Sequence, residues 1–353
     1  MKNSRLIKVL VVDDSPIIRK ILCDILKTDP EISIIGEAAD GVEAVSKALS
    51  FKPDIITMDI EMPFLSGLEA ISRIMAEKPV PILVITSVSG VKTAFDAVSR
   101  GALDVMQKSD VTPKEGGRLI RKIKMLAGID VKAHHAASGR KNNIPNESMI
   151  KEQKSSPVSI ENISMKKKAA KEMHTKRIIA IASSTGGTHA LSVILSKLPA
   201  QFPVPIVVAQ HVAAGFTQSM ADWLNTCTQL TVTSAQRGDS LTSGKVYINP
   251  SESNMRINNQ GVIVLSDSVP NQLYHPSCDE LLSSVAQSFG YYSVGIILSG
   301  MGHDGVTGIK AIHSSGGTTI AQDEQTSVVF GMNGIAEWFN ELIGRLHQSM
   351  VML

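Results

Sequence analysis

Residues 8–15 read Lys8-Val9-Leu10-Val11-Val12-Asp13-Asp14-Ser15, an apolar run that ends abruptly in two carboxylates. Four aliphatic side chains in a row, without polar alternation, suit a strand buried on both faces, the situation of a parallel sheet covered by helices. The apolar runs Ile32–Glu37, Ile55–Met58, Pro81–Ile85 and Asp104–Met106 follow at similar spacing. Amphipathic stretches with helical period lie between and after them, at Ile17–Lys27, Gly41–Leu49, Gly67–Ala76, Lys92–Arg100 and Pro113–Met125. Five strand–helix units in roughly 120 residues predict an α/β domain with a doubly wound parallel sheet.

Working outward, the pattern stops near Gly128. From there to Thr175, His134-His135, Asn142-Asn143, Ser155-Ser156 and Lys166-Lys167-Lys168 sit among few large apolar residues, which predicts a flexible linker. The lysine run is read as solvated chain rather than as a partner-binding patch. Strand-like segments resume at Arg177–Ala182 and recur at Pro205–Gln210, Lys245–Ile248, Val262–Leu265, Val294–Leu298 and Thr318–Ala321. Helical patterns fall at Thr188–Leu198, Thr217–Thr226, Cys278–Phe289, Gly305–Ser315 and Gly334–Leu346. The expected organisation is therefore two doubly wound parallel-sheet domains, 1–127 and 176–353, joined by a linker over 128–175.

Composition narrows the function. Apolar residues make up 43% of the 353 residues and aromatics only 4%, so aliphatic side chains must fill both cores. A formal charge of +2 gives no electrostatic reason to expect a nucleic-acid partner. No apolar run has membrane-spanning length, and the charged start leads straight into a strand, so no signal peptide is expected. Cys23, Cys227 and Cys278 are odd in number, far apart and without metal-ligand spacing; they read as small buried hydrophobes in a reducing, cytoplasmic protein.

Ligands of open parallel sheets bind at the carboxyl ends of the strands. There the first domain places Asp13, Asp14, Asp59, Thr86-Ser87 and Lys108. Three convergent carboxylates repel one another unless a hard cation sits among them, and Mg²⁺ with oxygen ligands fits. A carboxylate can attack phosphorus to give an aspartyl phosphate, with Lys108 and the cation offsetting the developing charge and Thr86 bonding the new oxygens. Taken alone, however, such carboxylates are equally well ordinary surface groups.

In the second domain, the strand Arg177–Ala182 runs into Ser183-Ser184-Thr185-Gly186-Gly187 and then a helix. The turn alone is compatible with a nucleophile, an anion cradle or a plain tight turn, although no P-loop lysine follows the glycines. A nucleophilic serine needs a base and an orienting acid. His211 and Asp304 both follow strands, so Ser184, His211 and Asp304 can converge, and the Gly300-Met301-Gly302 turn leaves Met301 N–H available to an oxyanion. His303 is a rival base and Asp323 a rival acid; His189, His275, His313 and His347 read as surface or structural residues.

The motif set is more specific than its parts. Val11-Val12-Asp13-Asp14-Ser15, Met58-Asp59-Ile60-Glu61-Met62-Pro63 with Gly67, Thr86 and Lys108 resemble response-regulator receiver domains, which are flavodoxin-like. Ser184-Thr185-Gly186-Gly187, Gln210-His211 with Phe216-Thr217, Tyr247-Ile248, Pro276-Ser277 with Asp279, Gly300-Met301-Gly302 with Asp304-Gly305, and Ala321-Gln322-Asp323-Glu324 with Phe330-Gly331-Met332 resemble, in order, the Rossmann-like serine hydrolase domain of chemotaxis protein-glutamate methylesterases, the CheB family. The resemblance implies Asp59 as phosphoacceptor, Asp13, Asp14 and Asp59 as Mg²⁺ ligands, and Thr86 and Lys108 as switch residues. It implies Ser184 as nucleophile, His211 as base, Asp304 as orienter, and an oxyanion site at Thr185 and Met301, with no organic cofactor. Its implied partners are methyl-accepting chemotaxis receptors as substrate and a histidine kinase as phosphodonor, with no nucleic acid and no membrane insertion. Receptor glutamine deamidation is the implied second activity. The sequence departs from the family pattern at Ser109, Ala182, Val212-Ala213-Ala214, Ser253-Asn254 and Asn333. A weakened hydrolase acting as a phosphorylation-dependent scaffold is the alternative function, and a DNA-binding regulator fits neither the charge nor the strand-rich second domain.

Overall fold

A computed structural model describes residues 5–87, 91–114, 116–131, 177–267 and 276–337. The first region runs β1 (Ile7–Val12), α1 (Pro16–Leu26), β2 (Ile32–Ala38), α2 (Gly41–Phe51), β3 (Ile55–Met58), α3 (Gly67–Glu77), β4 (Ile82–Thr86), α4 (Val91–Ser99), β5 (Asp104–Gln107) and α5 (Gly116–Leu126). Its sheet has the order β2-β1-β3-β4-β5, and every pairing is parallel. Val9, Leu10 and Val11 are completely buried, as the unalternating run predicts. Winding reverses between β1 and β3, and the crevice at that reversal receives Asp13 and Asp59.

Local signals set the helix starts. Ser15 accepts a hydrogen bond from Ile18 N ahead of Pro16, while Ser66 and Glu69 form a reciprocal capping box on α3. Gly67 sits so close to Asp59 O that any Cβ would collide with it, so glycine there lets α3 begin against the end of β3.

The second region contains β6 (Ile178–Ser183), α6 (Gly187–Leu195), β7 (Ile206–Gln210), α7 (Thr217–Cys227), β8 (Thr231–Ser234) and β9 (Lys245–Ile248). After these come β10 (Ser253–Ile257), β11 (Ile263–Asp267), α8 (Cys278–Phe289), β12 (Ser293–Ile297), α9 (Val306–Ser314), β13 (Thr318–Ala321) and α10 (Met332–Glu337). Six strands form a parallel sheet in the order β13-β12-β6-β7-β9-β8. β6 lies centrally, so its carboxyl end meets those of β7 and β12.

Two features differ from the sequence reading. The strand expected at Val262–Leu265 lies in an antiparallel hairpin, β10–β11, outside the parallel sheet. Neither its partner β10 nor the edge strand β8 was anticipated, because Ser253-Asn254-Met255-Arg256-Ile257 and Thr231-Val232-Thr233-Ser234 carry too few apolar residues to signal burial. Nearly all of the expected linker and the end of the helix expected at Gly334–Leu346 lie outside the described residues, as do His275 and His347. Among the described residues no helix is long and apolar enough to cross a membrane.

The two sheets touch through α4 and α7. Phe95, only 3% exposed, stacks on Trp223 with ring centroids 5.9 Å apart and meets Phe216 edge-on at 6.1 Å.

Candidate active site

The β6–α6 turn puts Ser184 at the centre of the second sheet's carboxyl edge. Gly186 adopts a positive φ of 80°, and a Cβ on it would strike Val328. A Cβ on Gly300 would lie 2.6 Å from Ser184 Cβ, so the β12 loop approaches the serine only because residue 300 is glycine. Below the serine, Ser183 donates to Gln210 Oε1, and Gln210 Nε2 donates to Ser184 O, which locks the turn to β7.

His211 follows β7, and its N–H is held by Ser183 O. Its Nδ1 stands 3.1 Å from Ser184 Oγ, and its Nε2 stands 2.8 Å from Asp304 Oδ2. The neutral ring that suits this pair carries its proton on Nε2, donates it to Asp304 and accepts from the serine at Nδ1. Asp304 is 5% exposed and also accepts from Cys278 N at 2.7 Å and Asp279 N at 3.0 Å, the first backbone donors of α8. A carboxylate at a helix N-terminus meets free N–H groups and the positive end of the dipole. Burial alone would raise the Asp304 pKa; the His211 contact and these two backbone donors outweigh it and leave the carboxyl below its ordinary range.

Asp279 repays the contact: its Oδ1 accepts from Gly305 N at 2.9 Å and Gly308 N at 2.8 Å, the start of α9. Each helix is thus capped by an acid that neighbours the other. Asp279 entered the sequence reading only as part of a motif, and nothing in its spacing announced this role. Asn254, which the sequence reading names only as a departure from the family pattern, is completely buried; its Oδ1 accepts from Ser277 N and its Nδ2 donates to Glu280, fixing the α8 N-terminus from the side.

The remaining expected residues fall as follows. Thr185 and Met301 flank Ser184, and among the described residues neither backbone N–H makes a hydrogen bond to protein. His303 is exposed, and Asp323 is exposed in a turn where it accepts from Thr326 N, so neither joins the serine. His189 is half-buried and lines a small cavity beside His211, while His313 is exposed on α9. Ala182 is fully buried, its methyl group directed toward Gly305 within the core beneath the site. Asn333 is buried and donates to Gln322 O and Ser327 Oγ.

In the first sheet, Asp13, Asp14 and Asp59 bring carboxylate oxygens within 4.8 Å of one another. Lys108 Nζ lies 2.8 Å from both Asp13 Oδ2 and Asp59 Oδ2. Burial raises the pKa of Asp13 and Asp59 despite that lysine. Burial works against the Lys108 charge too, yet the two carboxylates keep its pKa raised. Two buried carboxylates against one ammonium leave net negative charge, and Asp13 Oδ2 lacks a hydrogen-bond donor of good geometry. An all-oxygen set with uncompensated charge fits a hard divalent cation such as Mg²⁺. Thr86 Oγ1 is fully buried and without a hydrogen-bond partner. Ser109 donates to Gln107 Oε1, which closes the loop after Lys108.

β5 of the first sheet lies across the mouth of the serine site. Asp104 Oδ2 accepts from Thr185 Oγ1 at 2.7 Å and from Lys122 Nζ at 2.6 Å, and Gln107 Nε2 donates to Ala214 O. The cavity left between Asp104, Phe95, His211 and Phe216 is about 20 Å³, room for little more than one water.

Comparison with known proteins gives these geometries a family. Residues 179–337 match the family described as CheB methylesterase, and residues 9–115 match the response regulator receiver domain. A protein-glutamate methylesterase/protein-glutamine glutaminase of Paramagnetospirillum magneticum is 42% identical over 94% of this chain and 90% of its own length. One from Myxococcus xanthus is 37% identical over 95% and 92%. Among solved structures, the CheB methylesterase catalytic domain of Thermotoga maritima is 37% identical with a TM-score of 0.45, covering 47% of this chain and 90% of that one. With similarity running through both domains and nearly end to end, the chain belongs to the CheB family of methylesterases that carry a response regulator receiver domain.

Proposed function

We propose that the chain is a phosphorylation-regulated chemoreceptor methylesterase that hydrolyses glutamate methyl esters and also deamidates receptor glutamines. The observation that carries this reading is the unbroken relay Ser184 Oγ–His211 Nδ1–His211 Nε2–Asp304, at 3.1 and 2.8 Å. His211 takes the Ser184 proton as the oxygen attacks the ester carbonyl, and Asp304 stabilises the imidazolium that forms. The N–H groups of Thr185 and Met301 receive the oxyanion. His211 then returns its proton to the departing methanol, and the same groups direct water at the acyl-serine. With glutamine as substrate the identical steps release ammonia.

Regulation occupies the other domain, over residues 1–127 as against 176–353. Asp59 accepts the phosphoryl group from a histidine kinase, and Asp13, Asp14 and Asp59 hold Mg²⁺, which when bound offsets phosphoryl charge. Lys108 then exchanges carboxylate for phosphoryl oxygen, and the unpartnered Thr86 hydroxyl turns toward it. Both events move the end of β5, the strand whose Asp104 and Gln107 close the serine site. Phosphorylation therefore lifts β5 away from the edge that carries Ser184.

Methanol release from methylated receptor membranes tests the whole reading, with and without a small phosphodonor and Mg²⁺. Release is expected from wild type, to vanish in Ser184→Ala, and to lose its phosphodonor response in Asp59→Asn. Phosphodonor-dependent receptor binding without release, from wild type with Asp59 demonstrably phosphorylated, overturns the enzyme in favour of the scaffold.

A further inference from the structure

Cys278 is the first residue of α8 and completely buried, yet its thiol faces the catalytic histidine rather than the core alone. Its Sγ lies 3.5 Å from His211 Nε2 and 3.4 Å from Ala209 O. Sulfur, Nε2 and an Asp304 oxygen all fall within 4.8 Å of one another. Bond lengths of about 2.3 Å to sulfur and about 2.0 Å to imidazole nitrogen at a tetrahedral angle place those two atoms about 3.5 Å apart. The thiol and the imidazole are thus already spaced as ligands of one ion. The Nε2–Oδ2 pair, now 2.8 Å apart, opens by only about half an ångström to admit it.

We propose that His211, Cys278 and Asp304 form an inhibitory site for a thiophilic divalent cation of the Zn²⁺ and Cd²⁺ class, a proposal that rests on His211 being the catalytic base. Hard cations are discriminated against by the sulfur and nitrogen donors, whereas the all-oxygen cluster around Asp59 favours them. Burial and the neighbouring Asp304 hold the resting thiol protonated, and the ion replaces that proton. Binding forms the metal–sulfur and metal–Nε2 bonds, releases the thiol proton to solvent, and moves the Nε2 proton to Nδ1. One thiolate, one carboxylate and one dication then leave the buried site neutral, which removes the cost of an unpaired charge. Inhibition follows from the tautomer. With Nε2 bound to metal, the ring's one proton sits on Nδ1, 3.1 Å from Ser184 Oγ, and Nδ1 has no lone pair to accept the serine proton.

The test titrates the full chain with Cd²⁺ in excess Mg²⁺, without phosphodonor or added thiols. It reads the ultraviolet thiolate-to-cadmium charge-transfer band alongside methanol release. One equivalent of band and at least a tenfold fall in Ser184-dependent release are expected, both reversed by a chelator. Cys278→Ala and Cys278→Val, each compared with its own metal-free rate, are expected to need at least tenfold more Cd²⁺; because the position is buried, both are made and either one that folds decides. His211→Ala, which keeps the thiol, is expected to lose the band at the same concentrations. Unchanged Cd²⁺ sensitivity in a folded Cys278 variant, or a band that survives both sets of substitutions, overturns the site. The band needs no turnover, so failure of the esterase reading and failure of this one are distinguishable.

Discussion

Replacing Asp104 by alanine removes the hydrogen bond from Thr185 Oγ1 that ties β5 across the serine site. The accepting oxygen belongs to a carboxylate that also pairs with Lys122, and it retains 19% exposure. A charge-assisted hydrogen bond contributes about 1.5–3 kcal/mol, and partial exposure places this one near the bottom of that range. Thr185 and Lys122 both reach water once the domains part, so neither is stranded by the substitution. A shift of about 1.5 kcal/mol in the closed-to-open equilibrium multiplies the open population by about tenfold while the closed form dominates. The Phe95 contacts with Phe216 and Trp223 remain, so the domains stay largely docked. The assay is methanol release by unphosphorylated protein. Asp104→Ala should raise it by about tenfold, leave the phosphodonor-stimulated rate near wild type, and so compress the stimulation ratio by the same factor. A basal rate within twofold of wild type, with normal phosphorylation of Asp59, refutes the argument that this contact restrains the site.

Asp304→Asn should lower turnover by about four orders of magnitude, because the amide favours the wrong imidazole tautomer, and methanol release under saturating phosphodonor measures it. The depressed Asp304 pKa contributes stability that is present above the ordinary carboxylate value and lost as pH falls through the lower folded value; acid unfolding of Asp304→Asn should therefore lack that component. Asp59→Asn converts two buried carboxylates against one lysine into a balanced pair, so in chelator its Tm should rise by about 2–4 °C. Saturating Mg²⁺ should raise wild-type Tm and narrow that gap, and calorimetry checks both. Gly300→Ala forces a methyl group to within 2.6 Å of Ser184 Cβ and 2.3 Å of Met332 Sδ; a loss of about 1–3 kcal/mol in denaturant unfolding is expected, with a larger proportional loss of activity.

Much of the site was legible because strand ends are legible. Asp13, Asp59, Lys108, Ser184, His211 and Asp304 each follow a short apolar run, and a parallel sheet collects its strand ends along one edge whatever the loops do. The rivals His303 and Asp323 share that neighbourhood in sequence, and only the direction of their loops, toward solvent, separates them from the relay. Asp279 and Asn254 were illegible for the opposite reason. Each acts on an element distant in the chain, Asp279 on the start of α9 and Asn254 on the start of α8, and a single polar residue carries no mark of a partner fixed only by packing. The hairpin β10–β11 escaped because its first strand carries only two apolar side chains, Met255 and Ile257, too few to mark a strand although both are buried in the core.

By itself the sequence determined the two parallel sheets and the acidic cluster, and it offered Ser184, His211 and Asp304 beside the rivals His303 and Asp323, since apolar periodicity and strand-end position are local properties of the chain. Tertiary structure alone decided which imidazole nitrogen faces the serine, how Asp304 and Asp279 exchange caps between α8 and α9, and that Cys278 points at His211. It also decided that β5 of the first sheet lies against the turn that carries Ser184, through Asp104 and Thr185. Those are contacts between surfaces brought together from far along the chain, and their distances exist only once both cores have packed.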